Sequence, residues 1–326
     1  MLQLKKPIGT VRPKERRLGL VPVFASQKYV DTNTWVSVGS RVNAYWDENG
    51  FTPIYKGFSR TKRTVSADDI NRAVIKFRLK GIEFGNWLTN EDAYNYLAAL
   101  VIALNDLTRI VGYSNIGLNG TIGIAFGARG SQRAAGHFEP DTFMINLTRY
   151  KRYIEDLSGR RIDVPKQVKF METGGVGALA HEYGHALDYF FGTFVEQSKF
   201  YRSLTYGSDT SLITKNIDKK GSLRYQMTEI IRAIQQTRSY RYMRKSLVTK
   251  GESDSYWLRH NELWARLFEV WVNYKMREKG ITNRFLHKEK YKSLAKSIGC
   301  YQTQTEFSKI RPLVDRLILD ISKQAN

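Results

Sequence analysis

The stretch that most constrains this chain is Gly177-Ala-Leu-Ala-His-Glu-Tyr-Gly-His-Ala-Leu-Asp188. Its core is His181-Glu182-Tyr183-Gly184-His185. On a helix, residues four apart lie one above the other, so the two imidazoles can reach a single metal ion. Glu182 leaves an adjacent side of the same turn, where it can take a proton from a bound water. The flanks Ala178, Leu179, Ala180, Ala186 and Leu187 are small and apolar, which predicts a buried helix rather than a solvated one. The chain has only 5 histidines, and two of them sit here at ligand spacing.

An ion held by two histidines needs a third protein ligand and an open position. Asp188 returns to the histidine face, but it lies about 10 Å along the axis from His181 at about 1.5 Å per residue. A second strongly patterned helix, Asn261 to Val272, carries apolar residues at 263, 267, 270 and 271 and has Glu262 in its first turn. Glu262 approaches from another direction and is the better candidate. The plainer account of it is a first-turn acid favoured by the helix dipole. Asp188 then orients a ligand histidine or pairs with Arg266, which shares a face with Glu262, while Glu269 lies one further turn along.

Charge is the second strong feature. Lys and Arg number 52 against 31 Asp and Glu, a net of +21. The excess is spread out. Residues 1–64 hold 12 basic and 4 acidic residues, a net of +8, and further clusters run from Arg238 to Lys245 and from Arg284 to Lys296. Such a distribution favours a polyanion as partner, nucleic acid above all; solubility or an anionic protein partner would also account for it. With 42% hydrophobic residues the chain can bury a core and is not of the disordered class. The single cysteine, Cys300, excludes an intramolecular disulfide. No apolar h-region follows Met1, and the longest apolar run, 97–104, is too short to span a bilayer. The expectation is therefore an intracellular protein, not secreted by a signal peptide and not in a membrane. Its oligomeric state is left open.

Read in order, residues 1–20 form a basic arm and 21–64 a small strand-rich module. Ser66-Ala-Asp-Asp69 caps a helix to about Leu79. The stretch 81–87 connects it to a long helix, 90–111, capped by Thr89 with Asp92 and stopped by Gly112. Residues 115–118 and 121–126 read as strands around an Asn119-Gly120 hairpin turn, and 137–138 and 142–147 as further strands. Gly174, Gly175 and Gly177 lead into the histidine helix. A polar insertion, about 193–255, holds a helix from about Arg224 to Gln236. The tail to about Ser322 is helical, with Pro312 starting or kinking its last helix.

These phrases resemble a known family. The two-histidine motif with a downstream helical glutamate is similar to the gluzincin metallopeptidases, and the active-site helix to the anthrax lethal-factor-like catalytic domain. Closer is the first of the domains associated with the large polyvalent proteins of phages and plasmids. The resemblance runs through Gly81-Ile-Glu-Phe-Gly-Asn-Trp87, Leu118-Asn-Gly-Thr-Ile-Gly-Ile-Ala-Phe-Gly-Ala-Arg-Gly130, Gly136-His-Phe-Glu-Pro140, Ile145-Asn-Leu-Thr148, the histidine helix, and Tyr256-Trp257 before Glu262-Leu-Trp-Ala-Arg-Leu-Phe-Glu269, about 75–322 in all. It implies an α+β, zincin-like fold over 65–326: a small mixed sheet, the active-site helix, then a mostly helical part. It implies zinc held by His181, His185 and Glu262, with Glu182 as general base, Tyr256 as the donor to the oxyanion and His260 sharing that role. Two departures stand out. Family members are usually modules of very long chains, and many gluzincins carry an acid four residues after the ligand glutamate, where this chain has Arg266. That shifts the supporting role to Asp188 or Glu269.

The function expected from these features is a zinc-dependent endopeptidase of phage or mobile-element origin, acting on a protein or peptide near nucleic acid. Residues Thr142–Leu147 would hold the substrate in extended form. The rival expectation is a DNA-associated protein, packaged in a virion or delivered with the genome, whose zincin fold serves as scaffold.

Overall fold

The computed structural model describes residues 63–86, 88, 90–130, 136–147, 153–155, 161–163, 177–249, 251, 255–287 and 300–325. The basic arm and strand-rich module expected over 1–64 lie outside these residues but for the last two. So do Thr89, Gly174, Gly175 and most of the Arg284–Lys296 cluster. The described residues form two compact units, one from 63–179 and 276–287, the other from 180–275 and 300–325.

The first unit is a mixed sheet with two helices. Helix α1 (Ala67–Phe77) begins in a capping box: the Ser66 hydroxyl accepts the Asp69 amide, and the Asp69 carboxylate accepts the Ser66 amide. After β1 (Ile82–Phe84), helix α2 (Asn90–Val111) crosses to β2 (Gly123–Phe126), the connection that two parallel strands require. Strands β3 (Gly136–Glu139) and β4 (Met144–Leu147) complete a sheet of order β1-β2-β4-β3. The β1–β2 and β2–β4 pairs are parallel and β3–β4 antiparallel. A separate antiparallel pair, β5 (Tyr153–Glu155) and β6 (Arg161–Asp163), follows. Every residue of α2 from Ala93 to Leu104 is buried, so this helix is covered on all sides rather than along one stripe.

Two expectations fail here for physical reasons. Asn119-Gly120 makes no hairpin. Leu118, Asn119 and Gly120 take φ of 48°, 56° and 75°. This left-handed run folds back on the end of α1, where Gly117 N–H donates to Phe77 O at 2.7 Å and Gly120 N–H to Arg78 O at 2.7 Å. Residues 115–118 are turn, not strand. Nor can Thr142–Leu147 take up an extended peptide: β4 is paired on both edges, which leaves no free ladder of backbone groups.

The second unit is helical: α3 (Leu179–Phe190), α4 (Leu223–Gln235), α5 (Arg238–Thr249), α6 (His260–Glu278) and α7 (Gln304–Ala325), with Pro312 inside α7. Helix α6 lies tightly on α3. A Cβ on Gly184 would meet Ala265 Cα at 3.3 Å and Phe268 Cδ1 at 3.2 Å, and Trp264 Nε1 donates to Gly184 O at 2.9 Å. A glycine within a helix is about 1 kcal/mol worse than alanine; here it allows the approach that brings Glu262 to the histidines. Helix α3 runs on into one π-type turn, Phe191–Val195. There a Cβ on Gly192 would sit 2.5 Å from Ser203 Cα, against backbone that cannot give way. Gly192→Ala is expected to destabilise the protein by roughly 2–3 kcal/mol, as overpacking does; urea unfolding measures it. Among the described residues no helix is long and apolar enough to cross a membrane.

Candidate metal centre

Helix α3 presents His181 and His185 on one face, and the first turn of α6 presents Glu262 to both. His181 Nε2 stands 3.4 Å from Glu262 Oε2, and His185 Nε2 stands 3.3 Å from Glu262 Oε1. One ligand atom from each of the three lies within 4.8 Å of the others. These separations are long for charge-assisted hydrogen bonds, which run about 2.7–2.9 Å. They match donors around a shared ion: ligands about 2.0–2.2 Å from a tetrahedral centre stand about 3.3–3.6 Å apart. Glu262 Oε2 is moreover buried and accepts no hydrogen bond. A buried carboxylate oxygen without a donor is costly, and a cation among these three side chains removes that penalty. The three residues therefore fit a metal ion.

Electrostatics around the cluster favour positive charge. Burial alone would lower the His181 imidazole from its ordinary value. The carboxylates of Glu262 and Glu269, with Glu182 behind them, outweigh burial and raise it to about 10. Burial would likewise push the Glu262 carboxyl up; the charge of His185 and the contacts of both histidines hold it far below the usual carboxylate range. The carboxylates that favour positive charge on His181 would equally favour a metal cation.

The surrounding residues divide by what they touch. Glu269, two turns along α6 from Glu262, places Oε2 3.4 Å from His181 Nδ1 and accepts the Tyr301 hydroxyl at 3.3 Å. The far nitrogen of a ligand histidine is thus aimed by a carboxylate that is itself held in place. Glu182 is 5% exposed and close enough to influence both His181 and Tyr256. Tyr256 opens a short 3₁₀ turn, Tyr256–Leu258. Burial of its hydroxyl and the neighbouring Glu262 carboxylate raise its pKa, although 45% of the residue's surface is exposed. Arg266 is buried, donates to Trp257 O at 2.5 Å and lies over the Trp257 ring, so it anchors the turn that carries Tyr256. Its NH1 is 3.8 Å from Glu262 Oε2.

Two candidate residues are placed elsewhere. Asp188 neither pairs with Arg266 nor hydrogen-bonds a ligand histidine. Its carboxylate accepts the Thr205 amide at 2.9 Å and the Thr205 hydroxyl at 2.6 Å, and burial raises its pKa to about 6. It fastens the segment after the π-type turn to α3. His260 cannot reach an oxyanion. It is fully buried, with Nδ1 3.1 Å from Thr205 O, and with Nε2 2.9 Å from Ser211 O and 3.1 Å from Gln235 Nε2. Both ring nitrogens are used in fixing the 205–211 loop. His260→Ala is expected to lower stability by about 2 kcal/mol or more, through loss of buried hydrogen bonds, while metal content stays unchanged; denaturation and elemental analysis of the same sample test both halves. Tyr301 was not foreseen. Its signal is absent from the sequence because it lies 32 residues beyond Glu269, the residue it supports. Cys300 beside it is free and buried, and burial raises its thiol to about 11.

Fold and site together define a mixed helix-and-sheet protein with a buried two-histidine, one-glutamate group able to hold a metal ion. Residues 248–325 match the sequence model of large polyvalent protein-associated domain 1. The match takes in Tyr256, His260, Glu262, Arg266, Glu269 and Tyr301, and stops short of the histidine helix. Searches among curated proteins and among solved structures find no match.

Proposed function

We propose that this chain is a zinc-dependent endopeptidase of the gluzincin kind, built on a zincin-like fold and acting on a protein or peptide. The observation that carries the reading is the convergence of His181, His185 and Glu262 on one point, with Glu182 beside them on the same helix. Two imidazoles and a carboxylate, leaving a position open, are a donor set of catalytic zinc. Bound there, zinc would supply Lewis acidity at the scissile carbonyl and acidify a water.

The chain's own residues account for the proton movements. Glu182 takes a proton from the attacking water and returns it to the leaving amine, so that one peptide bond and one water become a carboxylate and an amine. The Tyr256 hydroxyl donates to the oxygen that gains charge at the carbonyl. Arg266 keeps the Tyr256 turn in place through Trp257. Glu269, backed by Tyr301, keeps the His181 ring aimed.

Elemental mass spectrometry of protein purified without chelator or metal-affinity tag tests the metal, and digestion of an unstructured peptide library tests the activity. About one zinc per chain is expected, absent from a His181→Ala, Glu262→Ala double variant, together with cleavage that a chelator stops and added zinc restores. No zinc after reloading would overturn the metal; bound zinc with no cleavage would overturn the peptidase.

A further inference from the structure

From Ile230 to Gly251 the chain has six basic residues and no acidic one. Helix α5 sorts this run into two faces. On the inner face Tyr240 and Met243 are buried, and Arg244 donates to Thr210 O at 2.8 Å and to Tyr240 Oη at 3.2 Å. Glu306, at the start of α7, accepts both the Ser239 amide and the Ser239 hydroxyl and ties down the first turn of α5. On the outer face Arg238, Arg241, Tyr242 and Lys245 form an exposed stripe at steps of three, four and seven residues. Among the described residues no carboxylate pairs with Arg238, Arg241 or Lys245; Arg241 Nε only reaches back to Thr237 O at 3.4 Å. Tyr242 stands among these cations with 61% of its surface exposed.

Uncompensated cations in a row fit a polyanion. The tyrosine narrows the choice. An acidic peptide offers charges but few planar faces, and a duplex keeps its base faces stacked inside. A single strand offers both a phosphate chain and open bases, and stacking on an aromatic side chain tolerates any sequence. We propose that the outer face of α5 binds single-stranded nucleic acid without sequence preference, through phosphate contacts from Arg238, Arg241 and Lys245 and base stacking on Tyr242. The site is separate from the metal cluster and does not rest on the peptidase reading.

Fluorescence anisotropy of a labelled twenty-residue oligothymidylate, titrated with the full chain at several salt concentrations, tests this. Tyr242→Ala is expected to weaken binding roughly tenfold, the lower part of the range for one stacked base, and Tyr242→Phe to keep it. The triple variant Arg238→Gln, Arg241→Gln, Lys245→Gln should reduce the slope of log K against log salt by about 2, since each single-strand phosphate contact contributes about 0.7. All four side chains are at the surface, so the melting curves of the variants should overlay that of the parent. Three results would overturn the proposal: no binding at low salt, a triple variant with unchanged affinity and slope, or polyglutamate or duplex DNA competing as well as the single strand.

Discussion

Glu182→Gln is expected to abolish peptide cleavage and leave the metal in place. Glutamine keeps the size and shape of the side chain but cannot accept a proton at the operating pH. The three converging donors are His181, His185 and Glu262, so the coordinating set is untouched. General acid–base catalysis by a placed carboxylate is worth about 10²–10⁴-fold, and cleavage should fall by that factor. A smaller second effect has a definite sign. The Glu182 charge helps to hold a positive charge at His181, so removing it should weaken zinc binding slightly. Cleavage rate and zinc content measured on one preparation separate the roles. Full activity would show that another group takes the proton, whereas loss of zinc would make Glu182 part of the coordinating set.

The site was legible where its chemistry is local and illegible where it is long-range. Histidines four apart and an acid opening a patterned helix are visible in the sequence because helical periodicity alone places them. The carboxylate that aims His181 comes from Glu269, one of the two acids the sequence offers for a supporting role, but its own support comes from Tyr301 in a segment with no periodic relation to it. His260 shows the opposite error. The family resemblance made it a candidate to share the role of Tyr256, but the carbonyls of Thr205 and Ser211 hold its ring. The same contrast governs the fold. Helix α1 follows from its capping box, and α2 from its long apolar run and the glycine, Gly112, that stops it. Strand β1 is only three residues between Gly81 and Gly85, too short to carry a period, and exists because β2 pairs with it. Helix α5 passed for a basic cluster because only Tyr240 and Met243 are buried on it. The Asn119-Gly120 pair carries a hairpin signal, but the end of α1 captures its amides first.

Zinc binding near pH 7 is expected to release about one proton per chain, with affinity rising about tenfold per pH unit until about pH 10. In the metal-free protein the carboxylates of Glu262 and Glu269 raise His181 to about 10 against burial. At neutral pH the ring is therefore protonated, and a metal must displace that proton to reach Nε2. The sign for stability is opposite in the two forms. A histidine whose folded value lies above its unfolded value of about 6.5 stabilises the metal-free protein fully below that pH. The contribution is lost as pH rises through about 10. The Glu262 carboxyl, held low, stabilises above its ordinary range and loses its contribution as pH falls through and below it. Raising the pH from 7 to 10 thus weakens the metal-free site while it strengthens zinc binding, and the gap in melting temperature between the two forms should widen. Titration calorimetry in two buffers of different ionisation enthalpy counts the protons. Glu269→Gln sharpens the test: it removes one of the carboxylates that keep His181 charged and the group that aims its ring. Proton release should fall, and zinc affinity at pH 9 should drop by about 10–100-fold, as it does when the partner of a ligand histidine is lost. Tight zinc binding with no proton released would mean that His181 is neutral before the metal arrives, and that the carboxylates around it are paired with something other than its ring.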